Sequence, residues 1–123
     1  MKTRDEIIEH EIYYDVQLSK PVTDYDINVD GAPILNKGIF YVFGKSQVVA
    51  QDNAIIYAYE DCTVRAHNST VYAFEDSTVR AFDNSKVNAY FDSLVFASGN
   101  SIVNLYESST VWAYGDSKII DKR

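Results

Sequence analysis

The stretch Ser69–Ser93, STVYAFEDSTVRAFDNSKVNAYFDS, repeats one phrase three times with small edits. Val71, Val79 and Val87 stand eight residues apart, Ala73, Ala81 and Ala89 follow each of them by two, and Ser69, Ser77 and Ser85 precede each by two. Alternation with period two across S-x-V-x-A places Ser, Val and Ala on one face of a β-strand and the variable residues on the other. The constant face is the expected core.

Followed in both directions, the valine column reads Val48, Ile56, Val64, Val71, Val79, Val87, Val95, Val103, Val111 and Ile119. The spacing is eight except between Val64 and Val71, where AHNS lacks one residue that its neighbours AFEDS and AFDNS contain. The deletion therefore falls in a turn. The preceding small column runs Ser46, Ala54, Cys62 and then Ser69 to Ser117, and the following one is alanine from Ala50 to Ala113 except for Leu105. Each unit closes on Asp, Asn, Gly or Ser, residues that accept tight turns and left-handed backbone. A short fixed period with a one-sided apolar face predicts a solenoid, in which stacking supplies the core that no unit can bury alone.

The coil size is read from the corners. DN, N, DN, GN and GD alternate with ED, ED, FD and SS, which implies a true period of sixteen and two strands per coil. Interdigitated Val, Ala and Ser fill the space between sheets about 10 Å apart, whereas a three-sided coil of about 24 residues would enclose a void. The expected fold is all-β, a right-handed parallel β-solenoid with two strands per coil, the three-sided helix being the alternative. The pattern from Ser46 to Ile120 resembles the octapeptide-repeat parallel β-solenoid proteins of bacteria and their phages. It is similar in kind to pentapeptide-repeat proteins, some of which mimic DNA, but lacks their A-[DN]-L-x-x period. The resemblance implies an architecture and no active site.

GIFYVFGK puts Phe40 and Val42 in the Val and Ala columns with Gly38 in the Ser column, a degenerate first unit. Residues 1–37 are read as an N-terminal capping segment and 38–123 as the repeat domain, because exposed solenoid edges need covering. Thr3 and Glu6 form a capping-box pattern that predicts a short helix over 4–10.

With 123 residues and a net charge of -7 the chain is expected to be one domain and a poor ligand for DNA, RNA or anionic membranes. The start, MKTRDEIIEHEIYYD, has no apolar run of signal-peptide type, so a cytoplasmic protein of a bacterium or a phage-infected host is expected. Cys62, the single cysteine, occupies the small column and is read as core rather than nucleophile. His10 and His67 lie in no metal-ligand spacing, and no phosphate loop or nucleophile motif occurs. The sequence predicts neither an enzyme nor a cofactor or metal site.

The sixteen-residue register gathers Tyr59, Phe74, Tyr90 and Tyr106 into one outward column beside Glu60, Glu75 and Glu107, with Tyr57 and Tyr72 two positions earlier. This aromatic and acidic stripe is the candidate binding surface, although such rings also stack for structural reasons alone. Arg65 and Arg80 stack on the other sheet and are expected to pair with carboxylates; Asn88 and Asn104 are expected to form an amide ladder. Trp112, Ile119 and Ile120 mark the last coil as a candidate homodimer contact.

Small, acidic and without catalytic residues, the chain has the profile of a non-enzymatic binding protein docking on a basic protein surface. Phage-encoded inhibitors of bacterial nucleic-acid enzymes, anti-CRISPR proteins among them, share that profile. A carbohydrate-binding β-helix module and a self-assembling structural solenoid are the alternatives.

Overall fold

The protein is seen in a computed structural model that describes residues 13–15, 26–27, 33–36, 38–44 and 47–122. Two sheets of seven strands each are formed. One contains β1 (Tyr13–Asp15), β4 (Ile39–Phe43), β6 (Ile55–Ala58), β8 (Thr70–Ala73), β10 (Lys86–Ala89), β12 (Ile102–Leu105) and β14 (Lys118–Asp121). The other contains β2 (Asp26–Ile27), β3 (Pro33–Asn36), β5 (Gln47–Gln51), β7 (Thr63–His67), β9 (Thr78–Phe82), β11 (Leu94–Ala97) and β13 (Thr110–Ala113). From β3 onward the chain alternates between the sheets, so each coil contributes two strands and the fold is a two-sheet parallel β-solenoid. The three-sided alternative is ruled out. Among the described residues only β2 and β3 pair antiparallel, at one end of the second sheet. The expected helix over residues 4–10 and most of the expected cap lie outside the described residues, and among the described residues no helix is long and apolar enough to cross a membrane.

Register follows the columns. Val87 lies opposite Val71 on one side and Val103 on the other, and Val95 lies between Val79 and Val111. Phe40 pairs with Ile56 and Val42 with Ala58, so the degenerate unit takes its expected place. The short corner is absorbed without a slip: Asn68 turns with φ 51° and Val64, Val71 and Val79 all remain inward. A one-residue slip would have reversed the faces of every later strand.

The valine and alanine columns are fully buried from Val48 to Val103. Each buried valine contributes roughly 1.5–3 kcal/mol, and the small Ala and Ser columns let the sheets approach closely enough to realise it. Why the third column is serine becomes clear at the corners. Ser77 Oγ donates to the Phe74 carbonyl at 2.7 Å, Ser85 to Phe82 at 2.8 Å, Ser101 to Ser98 at 2.7 Å and Ser109 to Tyr106 at 2.6 Å. Each hydroxyl thus satisfies the carbonyl three residues back, which the turn withdraws from the ladder. At the short corner Ser69 reaches the carbonyl only two residues back, His67, at 2.9 Å.

Left-handed backbone appears at every described corner, but one edge departs from the expected residue types. On the edge that follows β5, β7, β9, β11 and β13 the positive-φ residues are Asp52, Asn53, Asn68, Asp83, Gly99 and Gly115, as turn chemistry favours. On the other edge they are Gly44, Glu60, Glu75, Phe91 and Glu107. Three glutamates and a phenylalanine hold a conformation that costs a side-chain-bearing residue on the order of 1 kcal/mol. Two of the glutamates have a compensating contact: Glu107 Oε2 accepts from the Phe91 N–H at 3.1 Å, and the Glu75 carboxylate accepts from the Glu60 backbone.

One serine stands apart. Ser93 Oγ is buried without a hydrogen-bond partner, whereas Ser77 in the neighbouring coil is bonded. Ser77→Ala should therefore cost about 1 kcal/mol of unfolding free energy, and Ser93→Ala should be neutral or stabilising. Equal losses in denaturant titrations of the two variants would contradict the role given to the serine column.

Candidate functional site

The aromatic column forms as a continuous stack. Tyr59 and Phe74 have ring centroids 5.1 Å apart, Phe74 and Tyr90 5.0 Å, and Tyr90 and Tyr106 4.6 Å, all within 12° of parallel. A second, shorter row runs Tyr41, Tyr57, Tyr72 at 4.9 and 4.8 Å, and Tyr41 also approaches Tyr59 at 6.4 Å. Where that row stops, amides replace rings, and Asn104 Nδ2 donates to Asn88 Oδ1 at 3.0 Å. The spacing is the strand spacing of a sheet, so each ring rests on its equivalent one coil away. Tyr41 and Tyr59 are buried, while Tyr90 and Tyr106 are half-exposed.

Burial pushes the Tyr59 phenol up to about 12, assisted by the neighbouring Tyr41, Tyr57 and Glu75. Tyr57 and Tyr90 are raised for the same first reason, with their stacked tyrosine neighbours adding to it. These phenols are neutral, hydrogen-bonding groups at physiological pH.

Directly beyond the rings the corners carry Glu60–Asp61, Glu75–Asp76, Phe91–Asp92 and Glu107–Ser108. Six carboxylates along four coils, at a rise of about 4.8 Å, give roughly one negative charge per 3.2 Å. A strand of B-DNA carries one per about 3.4 Å. The crowding is felt at Glu75, whose carboxyl is raised by partial desolvation and then by Glu60, Asp76 and Asp61, against the hydrogen bond from the Glu60 backbone. Because the folded state holds this proton more tightly than the unfolded chain does, ionised Glu75 opposes folding at neutral pH, and stability rises as pH falls through the raised value. Its side chain is exposed, so solvent screening keeps that effect small.

Phe91 was not legible as a site residue. It takes the place that glutamate holds in the other three corners, keeps a φ of 57°, and is 42% exposed. The signal is present in the sequence as FD where the two preceding equivalents read ED, but only the positive φ shows that the ring is held outward at a strained position.

The remaining candidates sit elsewhere. Cys62 is fully buried and burial drives its thiol up to about 12, so it is a core residue. His67 stacks on Phe82 at 4.8 Å with its Nδ1 3.5 Å from Asp83 Oδ2. Among the described residues no three His, Cys, Asp or Glu side chains gather as a metal site. Arg65 and Arg80 are opposite one another as expected, yet the Arg80 guanidinium lies over the Phe96 ring, 5.3 Å from its centroid, instead of against a carboxylate. On the opposite edge an open polar groove of about 840 Å³ runs past Asp52, Asn53, Asn68 and Asn84; it does not touch the aromatic column.

In the last coil Trp112, Ile119 and Ile120 are all exposed, and the inward column opens to solvent with them. Val111 is only partly buried and Ala113 is exposed, in contrast to their equivalents Val95 and Ala97 at 0%.

Comparison of the chain with protein-family models, with curated proteins and with solved structures found no match, so the functional reading rests on the geometry of its own edges and end.

Proposed function

We propose that the protein is a non-enzymatic binding protein whose aromatic and acidic edge docks on a basic protein surface. The observation that supports this most is Phe91. Phe91 stands between Glu75 and Glu107 in the corner column; its backbone N–H donates to Glu107, but that bond needs no ring, and a bulky exposed side chain at positive φ is a local cost. An aromatic anchor amid a rim of charge is the composition of an interface centre. A charge spacing close to that of a nucleic-acid strand favours partners that bind phosphates, and an inhibitor of a bacterial nucleic-acid enzyme, such as an anti-CRISPR, is the biological role of this kind. The edge would occupy a groove built for phosphates. A sugar-binding role is less well supported, because it needs free ring faces and both faces of Phe74 and Tyr90 rest on neighbouring rings at 4.6 to 5.1 Å.

We further propose that two copies associate through the last coil. Trp112, Ile119 and Ile120, with the partly open core at Val111 and Ala113, form an apolar end framed by Lys118 and Lys122. Two-fold pairing covers both ends and stops growth, which open-ended stacking does not.

Reversal of Asp61, Asp76 and Asp92 to Lys leaves the glutamate-to-backbone bonds of the corners in place and changes only the electrostatic match. The triple variant should keep the circular dichroism spectrum and lose capture of basic nucleic-acid-binding proteins from bacterial lysate, and duplex DNA should displace those proteins from the parent protein. Capture that survives the reversal, or that DNA does not compete, would remove the acidic edge from the account. For the dimer, light scattering across a dilution series should give twice the chain mass for the parent protein and a monomer for Trp112→Asp; a parent protein monomeric at tens of micromolar would contradict it.

A further inference from the structure

The edge opposite the carboxylates has a column of its own. His67, Phe82, Ser98 and Tyr114 occupy equivalent positions in consecutive coils, just after the alanine column. His67 and Phe82 stack at 4.8 Å and 10°, which sets the ring spacing of this column. The chain then steps up one coil at a time without a shift: Ser98 N–H donates to the Ala81 carbonyl at 2.9 Å and Tyr114 N–H to the Ala97 carbonyl at 2.8 Å. Serine at position 98 therefore leaves a gap one ring thick between Phe82 and Tyr114, which stand two coils apart, roughly 9.5 Å at the usual strand spacing. Its hydroxyl is turned away to the Ala81 carbonyl at 3.1 Å and does not fill the gap.

A cavity of about 260 Å³ marks the place, lined by Arg80, Phe82, Phe96, Ser98 and Tyr114. Arg80 and Phe96 precede Phe82 and Ser98 by two residues, so the guanidinium lying over the Phe96 ring is placed beside the gap, about 6.5 Å along the strand. Arg80 is exposed, and among the described residues it is the one charged group of the lining. A guanidinium stacked on a ring keeps its N–H edge free to hold a carboxylate in a planar, two-point contact.

We propose that this notch binds a small aromatic carboxylate. The ring would take the missing place in the column, stacked between Phe82 and Tyr114 at the spacing the protein's own rings adopt, and the carboxylate would meet Arg80. A ring without an anion loses the second contact, and an aliphatic acid loses the first. Salt screens fields beyond about 8 Å at physiological ionic strength, so an anion approaching the notch meets the charges close to it, Arg80 and the neighbouring Asp83 among them, and not the whole net charge of -7.

The test uses the full chain and indole-3-acetate as probe, followed by proton–nitrogen NMR. Amide shifts should be confined to Arg80–Phe82, Phe96–Gly99 and Tyr114, with a dissociation constant on the order of 1 mM or tighter, and the uncharged indole-3-acetamide should bind roughly tenfold more weakly. Arg80→Gln should remove the preference for the acid. Ser98→Phe should block both probes by filling the gap, and Tyr114→Ala should weaken both by removing one wall. No shifts, shifts elsewhere, equal binding of acid and amide by the parent protein, or undiminished binding by Ser98→Phe or Tyr114→Ala would each overturn the proposal.

Discussion

Parallel pairing at a fixed offset holds each residue of the solenoid about 4.8 Å from its equivalent in the coil before, and the other properties follow from that spacing. Whatever the chain places at one position it must stack upon itself. For valine the result is a column closed to solvent; for serine, a hydroxyl that reaches the carbonyl three residues back at corner after corner; for tyrosine, a ladder of nearly parallel rings. Repetition also multiplies errors, since a residue too large for the inward face would clash with its neighbours above and below. The inward columns therefore vary little, and Leu105, the one larger residue in the alanine column of the later coils, lies in the penultimate coil of its sheet, where the core begins to open.

The same spacing is unfavourable for like charges, which makes the acidic edge informative. Isolated surface carboxylates cost little, but a line of them at strand spacing repels along its whole length. Here the chain offsets part of that repulsion with backbone donors, the Phe91 N–H to Glu107 and the Glu60 backbone to Glu75, and leaves Asp61, Asp76 and Asp92 facing solvent. A cationic surface laid along this edge would relieve the repulsion at every coil at once. The opposite edge is built on another principle, with Asp, Asn and Gly at the left-handed positions and Asn68 Oδ1 accepting from the Asn84 N–H at 3.2 Å. The two edges of one repeat thus present different chemistries, one a polyanion backed by rings and the other a polar groove beside an aromatic notch.

Much of this was legible before the structure. The valine column, the turn that absorbs the deletion, the two-strand coil and the stacking of Tyr59, Phe74, Tyr90 and Tyr106 all follow from period and side-chain size, because a stacked repeat turns sequence spacing directly into spatial contact. What was not legible depended on backbone conformation. Sequence alone assigned the left-handed corners to Asp, Asn, Gly and Ser; it could not show that Glu60, Glu75 and Glu107 take that conformation, supported by the hydrogen bonds made between successive corners. The role of Phe91 is hidden in the sequence for the same reason. Arg80 was assigned to a carboxylate because charge pairing is the common fate of stacked arginines, whereas Phe96, one coil on, offers a ring at the right distance. The gap at Ser98 is not legible in the sequence, because an absence in a column stands out only once its neighbours stack.

Register turns separate carboxylates into one coupled anionic edge, and Glu75 reports on that coupling most directly. Carbon-13 NMR titration of the glutamate and aspartate carboxyls should place the Glu75 midpoint above the ordinary glutamate value, and Glu60→Gln should bring it down while the rest of the spectrum stays in place. Saturating oligolysine should lower it as well, because a cation along the edge favours the ionised form. A Glu75 carboxyl that titrates at the ordinary value, and is indifferent both to the charge on Glu60 and to the polycation, would show that the corners act as independent surface groups and that the edge is not a polyanion.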